Sequence, residues 1–164
     1  MSDQQPIASS AIANSTAATP VGASLYEQDY YLWVQHTIKL LRDGQFSELD
    51  IPNLIEEVED MGKSERRSVE SNLEIILMQL LKYKYQPQSR SHSWRYTILE
   101  HRDRLDKVFA DSPSLAAYFR QVFEHCYVKA RRKAATETGL AIEMFPTESP
   151  FTPEETLNPD YLPD

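Results

Sequence analysis

The chain has 164 residues, 41% of them hydrophobic, with six Phe, nine Tyr and two Trp, which is enough for one domain with a sizeable core. Its formal charge of −8 argues against a general nucleic-acid binder, because phosphate binding is driven by basic surface and released counterions. A single cysteine, Cys126, excludes a disulfide framework and a cysteine-based zinc site.

The net charge hides a segregation. Residues 24–62 carry nine acidic and two basic side chains, residues 63–133 carry eight and fifteen, and residues 134–164 carry seven and none. The middle segment therefore has a local basic field inside an acidic protein. No stretch approaches the length needed to span a bilayer, and no positive charge precedes a hydrophobic block at the N-terminus. The expectation is a reduced, cytoplasmic protein.

Residues 1–23 are rich in Ser, Ala, Thr and Gln without sustained periodicity, and are expected to be a disordered leader to a single helical domain over 24–164. The first helix is expected from Ser24 to Arg42, with Tyr26, Tyr30, Trp33, Val34, Thr37, Ile38 and Leu41 on one face and Gly44 closing it. A second segment opens at Asp50-Ile51-Pro52, where Asn53 and Glu56 have capping-box spacing. Its stripe runs through Leu54, Ile55, Val58 and Met61, is interrupted at Gly62, and resumes from Val69 to Tyr85. The absence of a loop-like cluster after the glycine favours one long kinked helix over two.

Pro87 ends that element, and Gln86–Tyr96 forms a basic-aromatic loop. The next helix is expected over Ser93–Asp111, with Trp94, Ile98, His101, Leu105, Val108 and Phe109 on one face. Ser112-Pro113 reads as the cap and first position of a last long helix that buries Leu115, Phe119, Val122, Phe123, Cys126 and Ala130 and ends at Gly139. Five prolines in the last 24 residues predict an irregular wrap with one short turn at Thr152–Leu157. No segment alternates like a strand. The fold class is all-α: a four- to five-helix bundle with a disordered leader and a proline-rich C-terminal wrap.

The loop offers forked guanidinium donors beside an aromatic surface, so the candidate binding surface is Arg90, Ser93, Trp94, Arg95 and Arg102, with Glu56 and Glu57 as acidic members. Trp94 is expected as a core anchor. Arg90 and Arg95 are expected to bond helix-end carbonyls or carboxylates, with Glu56, Glu57 and Glu59 as partners. Glu56 and Asp60, four apart, have the spacing to share a hard cation, but no histidine follows a glutamate by three as a bundle metal site wants. A solvated helix face is the expectation, with no metal, cofactor or catalytic residue assigned. Cys126 and His101 read as core residues. Arg120 and His125 have the spacing of the short motif of the HEPN ribonucleases. An i, i+5 pair on an ideal helix nevertheless lies about 140° apart.

Taken together, Tyr26-Glu27 with Asp29, Tyr30 and Trp33, then Asn53-Leu54-Ile55-Glu56-Glu57, Met61-Gly62 and Arg66-Arg67 form an ordered series. It continues through Leu80-Leu81-Lys82-Tyr83, Tyr85-Gln86-Pro87, Arg90, Ser93-Trp94-Arg95, Ile98 and Arg102, and closes on Ser112-Pro113-Ser114-Leu115, Glu137–Leu140, Phe145-Pro146 and Tyr161-Leu162-Pro163. In that order and spacing, over roughly 25–163, the chain resembles the bacterial proteins grouped as domain of unknown function 29, which abound in cyanobacteria. The resemblance implies an all-helical fold and no established activity. His92 and His125 fall outside the family's pattern.

Two functions follow as expectations. The first is a non-enzymatic interaction or regulatory protein with an unidentified protein partner, suggested by segregated charge and the basic-aromatic loop. The alternative is an RNA-binding protein or HEPN-like ribonuclease using Arg120 and His125. Net charge disfavours nucleic acid, and no membrane association is expected.

Overall fold

The structure is a computed structural model that describes residues 21–164, apart from the side chains of Ala23 and Ser24. It is all-helical: α1 (Val21–Gln28), α2 (Tyr30–Arg42), α3 (Ile51–Tyr85), α4 (His92–Asp111), α5 (Leu115–Thr138) and α6 (Pro153–Leu157), with three short 3-10 turns and no strand among the described residues. The expected disordered leader lies outside the described residues as far as residue 20, and its last three residues belong to α1. Two compact units divide the chain, one ending at Val58 and the other running from Glu59 to Asp164.

In the first unit the single helix expected over 24–42 is two. Asp29 adopts an extended backbone and its carboxylate accepts from the Leu32 amide at 3.0 Å, so it caps α2. The apolar spacing runs through Asp29 unbroken, which is why periodicity alone merges the two helices. Trp33, Thr37 and Leu40 are buried, whereas Tyr30 and Leu41, assigned to the inner face, are exposed.

The first turns of α3 hold this unit together. Asp50, only 5% exposed, accepts from the Trp33 indole N–H at 3.3 Å and from the Asn53 amide at 2.7 Å. That use of Asn53 replaces the expected capping box with Glu56. Gly22 packs so close that an added Cβ would stand 3.1 Å from Asp50 Cβ.

α3 is one helix through Gly62. In the second unit α4 returns antiparallel to α3, since Asn72 meets His101 while Lys82 meets Trp94. α5 runs in the direction of α3, with Glu70 meeting Tyr118 and Lys82 meeting Glu137. Their core is Val69, Leu73, Ile76, Leu77, Leu80 and Leu81 of α3, Ile98 and Leu105 of α4, and Phe119, Phe123, Cys126, Tyr127, Ala130 and Ala134 of α5.

α5 begins at Leu115. Ser112 ends α4, and the Leu115 and Ala116 amides donate to the Ser112 and Pro113 carbonyls, so Ser112-Pro113 is a turn rather than a helix start. Gly139 closes α5 at φ 70°, a left-handed conformation that glycine adopts without Cβ strain. The C-terminal wrap inserts Phe145 and Phe151 into the core and forms α6, opened by a Thr152–Glu155 capping box, where a short turn is expected.

Candidate functional site

The basic-aromatic loop folds around Tyr83, which is buried at the end of α3. Arg90 donates from Nε to the Tyr83 carbonyl at 2.8 Å and from a terminal nitrogen to the Pro163 carbonyl at 3.4 Å, with its guanidinium 4.4 Å from the centre of the Tyr83 ring. Arg95 donates to the Tyr83 hydroxyl at 3.1 Å. Ser91 caps α4 by accepting from the Trp94 amide at 3.3 Å. Ser93 is exposed, and its carbonyl accepts from the Thr97 hydroxyl.

Trp94 is not the core anchor that its place on the α4 stripe predicts. It is half-buried, and its ring lies 4.4 Å from Lys82 Nζ. Lys82, 4% exposed, is the buried member of the group, and its ammonium donates to Glu137 at 2.6 Å. A desolvated ammonium needs both a counter-ion and a polarisable face, and Glu137 and Trp94 supply them. Lys82 looks like an ordinary C-terminal helix cation in sequence, so nothing there marks it as buried.

Arg102 lies deeper, 2% exposed, and is spent entirely on backbone. It donates to the carbonyls of Thr156 at 2.8 Å, Tyr161 at 3.1 Å and Glu155 at 3.2 Å. Burial lowers its pKa to about 10, which leaves it charged at neutral pH. Arg131 does the same for the Phe145 and Ile142 carbonyls, and the Tyr127 hydroxyl donates to that of Pro146. The arginines read as a ligand grip are therefore largely clamps on the C-terminal wrap.

The acidic candidates do not join them. The Glu57 carboxylate accepts from the hydroxyls of Tyr26 and Tyr30, both at 2.7 Å, within the first unit. That bond, with burial and the carboxylate's charge, pushes the Tyr26 phenol up to about 12. Glu56 and Glu59 are exposed, and Asp60 pairs with Lys63 at 2.9 Å. In place of the expected pairing of Glu56, Glu57 or Glu59 with Arg90 and Arg95, Glu57 takes tyrosine hydroxyls, Arg90 backbone carbonyls and Arg95 the Tyr83 hydroxyl. No residue type marks these acceptors in advance, because a backbone carbonyl belongs to every residue.

A second polar zone lies along α3 and α5. Glu74, 6% exposed, accepts from Lys133 at 2.5 Å and lies 3.3 Å from Lys129, while the Tyr118 hydroxyl donates to Glu70 under the Arg66 guanidinium. Between Glu74–Lys133 and Lys82–Glu137 opens a shallow depression of about 470 Å³ lined by Met78, Arg132, Lys133, Thr136 and Glu137. Burial pushes the Cys126 thiol up to about 12, so it is a core group rather than a nucleophile. Arg120 is bonded to Glu154 of α6, and His125 is exposed.

A family model described as domain of unknown function DUF29 matches residues 25–162, from within α1 to the residue before the Pro163 carbonyl that holds Arg90. The chain belongs to the DUF29 family. No curated protein and no solved structure matches it. In this DUF29 chain several of the residues that carried the resemblance are ties: Tyr26 and Tyr30 onto Glu57, Trp33 onto Asp50, Arg90 and Arg102 onto the C-terminal wrap, and Glu137 onto Lys82. Among the described residues no helix is long and apolar enough to cross a membrane.

Proposed function

We propose that this DUF29 protein is a non-enzymatic interaction or regulatory protein, and that it receives a protein partner on the apolar surface of its first unit. One observation carries the reading: Tyr30, Tyr31, Leu32 and Leu41 of α2 and Phe46 of the following turn are exposed, Tyr31 by 73% and Phe46 by 63%. Large apolar side chains left exposed within one short segment of the chain favour association, because covering them removes apolar area from water. The cations expected to grip a small anion are meanwhile engaged with the protein's own carbonyls and tyrosines.

The test is affinity capture from the native host at rising salt. A stoichiometric protein that stays bound as salt increases supports apolar docking. Capture of RNA that falls away steeply with salt would instead favour the nucleic-acid reading.

A further inference from the structure

Met78 sits on α3 between the members of two ion pairs that join α3 to α5. Glu74, Met78 and Lys82 follow one another at intervals of four, about one helical turn each, and lie on one side of α3. Glu74 takes Lys133 at 2.5 Å and Lys82 gives to Glu137 at 2.6 Å, and the α3 member of each pair is buried. The depression of about 470 Å³ opens at Met78, with Arg132, Lys133, Thr136 and Glu137 of α5 as its other lining. Small-molecule sites run from about 300 to 1,000 Å³.

The lining is almost all carbon, and its polar groups are already engaged, with one exception. The Thr136 hydroxyl donates to the Arg132 carbonyl at 3.0 Å. Taken with the side chains they bond, the charged groups of the lining are four cations, Lys82, Lys129, Arg132 and Lys133, and three acids, Glu70, Glu74 and Glu137. Four less three leaves +1. Arg132 is the cation left over: among the described residues its guanidinium has no hydrogen bond or ion pair, whereas its neighbour Arg131 is spent on two carbonyls.

We infer that this depression is a binding site for an organic monocarboxylate, its carboxylate held by the Arg132 guanidinium and its apolar body lying on Met78. A guanidinium fork matches a carboxylate with two parallel hydrogen bonds. Met78 packs on the core yet stays partly open, and its thioether adapts to varied apolar shapes. A single negative charge neutralises the excess of one, whereas a phosphate monoester, at about −1.5 to −2, would overshoot it. The carboxylate belongs either to a free acid or to the C-terminus of a peptide. This site is independent of the apolar surface proposed for the first unit.

Methyl NMR on the full chain, labelled at its four methionines, tests this, with the Met78 signal assigned through Met78→Leu. Hexanoate is the probe, acetate the control for the head alone and hexanol for the body alone. Hexanoate is expected to move the Met78 methyl saturably, and neither control to do so at the same concentration. Arg132→Gln is expected to keep the melting temperature and to weaken the hexanoate response at least about tenfold, the loss of a charge-assisted hydrogen bond. Arg104→Gln, on α4 and outside the lining, is expected to leave the response unchanged. Acetyl-dileucine with a free carboxylate, compared with hexanoate, tells the two sources apart: the tighter of the two names the peptide terminus or the free acid. A Met78 signal unmoved by hexanoate overturns the inference. So does one moved equally by hexanol, or a response that Arg132→Gln leaves intact.

Discussion

Arg102 illustrates how single residues hold this fold. Its three donor contacts go to carbonyls at and beyond α6, and no carboxylate shares the site with it. Replacing it by alanine strands those carbonyls in a buried place, and we expect Arg102→Ala to lower unfolding free energy by about 3 kcal/mol, from hydrogen bonds to a charged group that are each worth about 1.5–3 kcal/mol. Arg95, exposed and bonded once to the Tyr83 hydroxyl, is expected to cost less than about 1 kcal/mol when truncated. Denaturant titration of the two variants reads the contrast, and equal losses would mean that the wrap is not held by Arg102.

His101 gives the same scale a pH dependence. The Asn72 amide nitrogen donates to the Ser68 carbonyl at 2.7 Å, so its oxygen faces His101, and Nδ1 of the ring donates across 2.6 Å. Burial, aided by Arg104 and opposed by Glu100, holds the His101 pKa below its ordinary 6.5. Below 6.5 the unfolded chain takes up a proton that the native state refuses, so stability is full above that value and is lost as pH falls through the lowered native pKa. We expect this slope in urea midpoints between neutral pH and the onset of carboxylate titration, and expect His101→Gln to flatten it. A slope unchanged in His101→Gln would assign it to other groups. Sequence marked His101 as a core residue correctly, but its partner Asn72, on a different helix, carried no signal.

At the scale of elements, apolar periodicity located α3, α4 and α5 to within a few residues, although α3 buries its stripe only from Val69 onward and leaves Ile55, Val58 and Met61, expected on that stripe, exposed. It failed where the break is made by backbone rather than by composition. Asp29 divides α1 from α2 through an extended residue and one amide bond, and an aspartate near a helix start looks the same in sequence either way. The glycines separate by the same logic. Gly62 sits in regular helix with nothing near its Cβ position, so Gly62→Ala is expected to stabilise by about 1 kcal/mol. Gly139, at φ 70°, is expected to lose about 1–2 kcal/mol as alanine. Urea titrations of both in dilute solution check this, and a loss at Gly62 would show that α3 is not continuous there.

For the whole molecule, the acidic, basic and acidic thirds do not simply neutralise one another. In the second unit three cations of the basic third, Arg90, Arg102 and Arg131, bond the backbone of the acidic tail, and Arg120–Glu154 and Lys82–Glu137 pair with its side chains. In the first unit Glu57 and Asp50 take the tyrosine and tryptophan donors, and large apolar side chains face outward. The candidate site was thus legible in sequence as a set of special residues but not as a set of roles, since their acceptors are carbonyls brought close only by folding. Exposure of Tyr30 and Leu41 was equally hidden, because an apolar residue on a helical stripe reads as core.

On the proposed reading the first unit serves association with a protein partner, and the arginine loop grips no ligand. Capture from the native host with three baits tests it most directly: the wild type, Tyr31→Ser/Phe46→Ser, and Arg95→Ala. One stoichiometric protein is expected on the wild type and on Arg95→Ala, and is expected to be lost from Tyr31→Ser/Phe46→Ser while that variant's melting temperature holds. A partner kept by Tyr31→Ser/Phe46→Ser and lost from Arg95→Ala would contradict it.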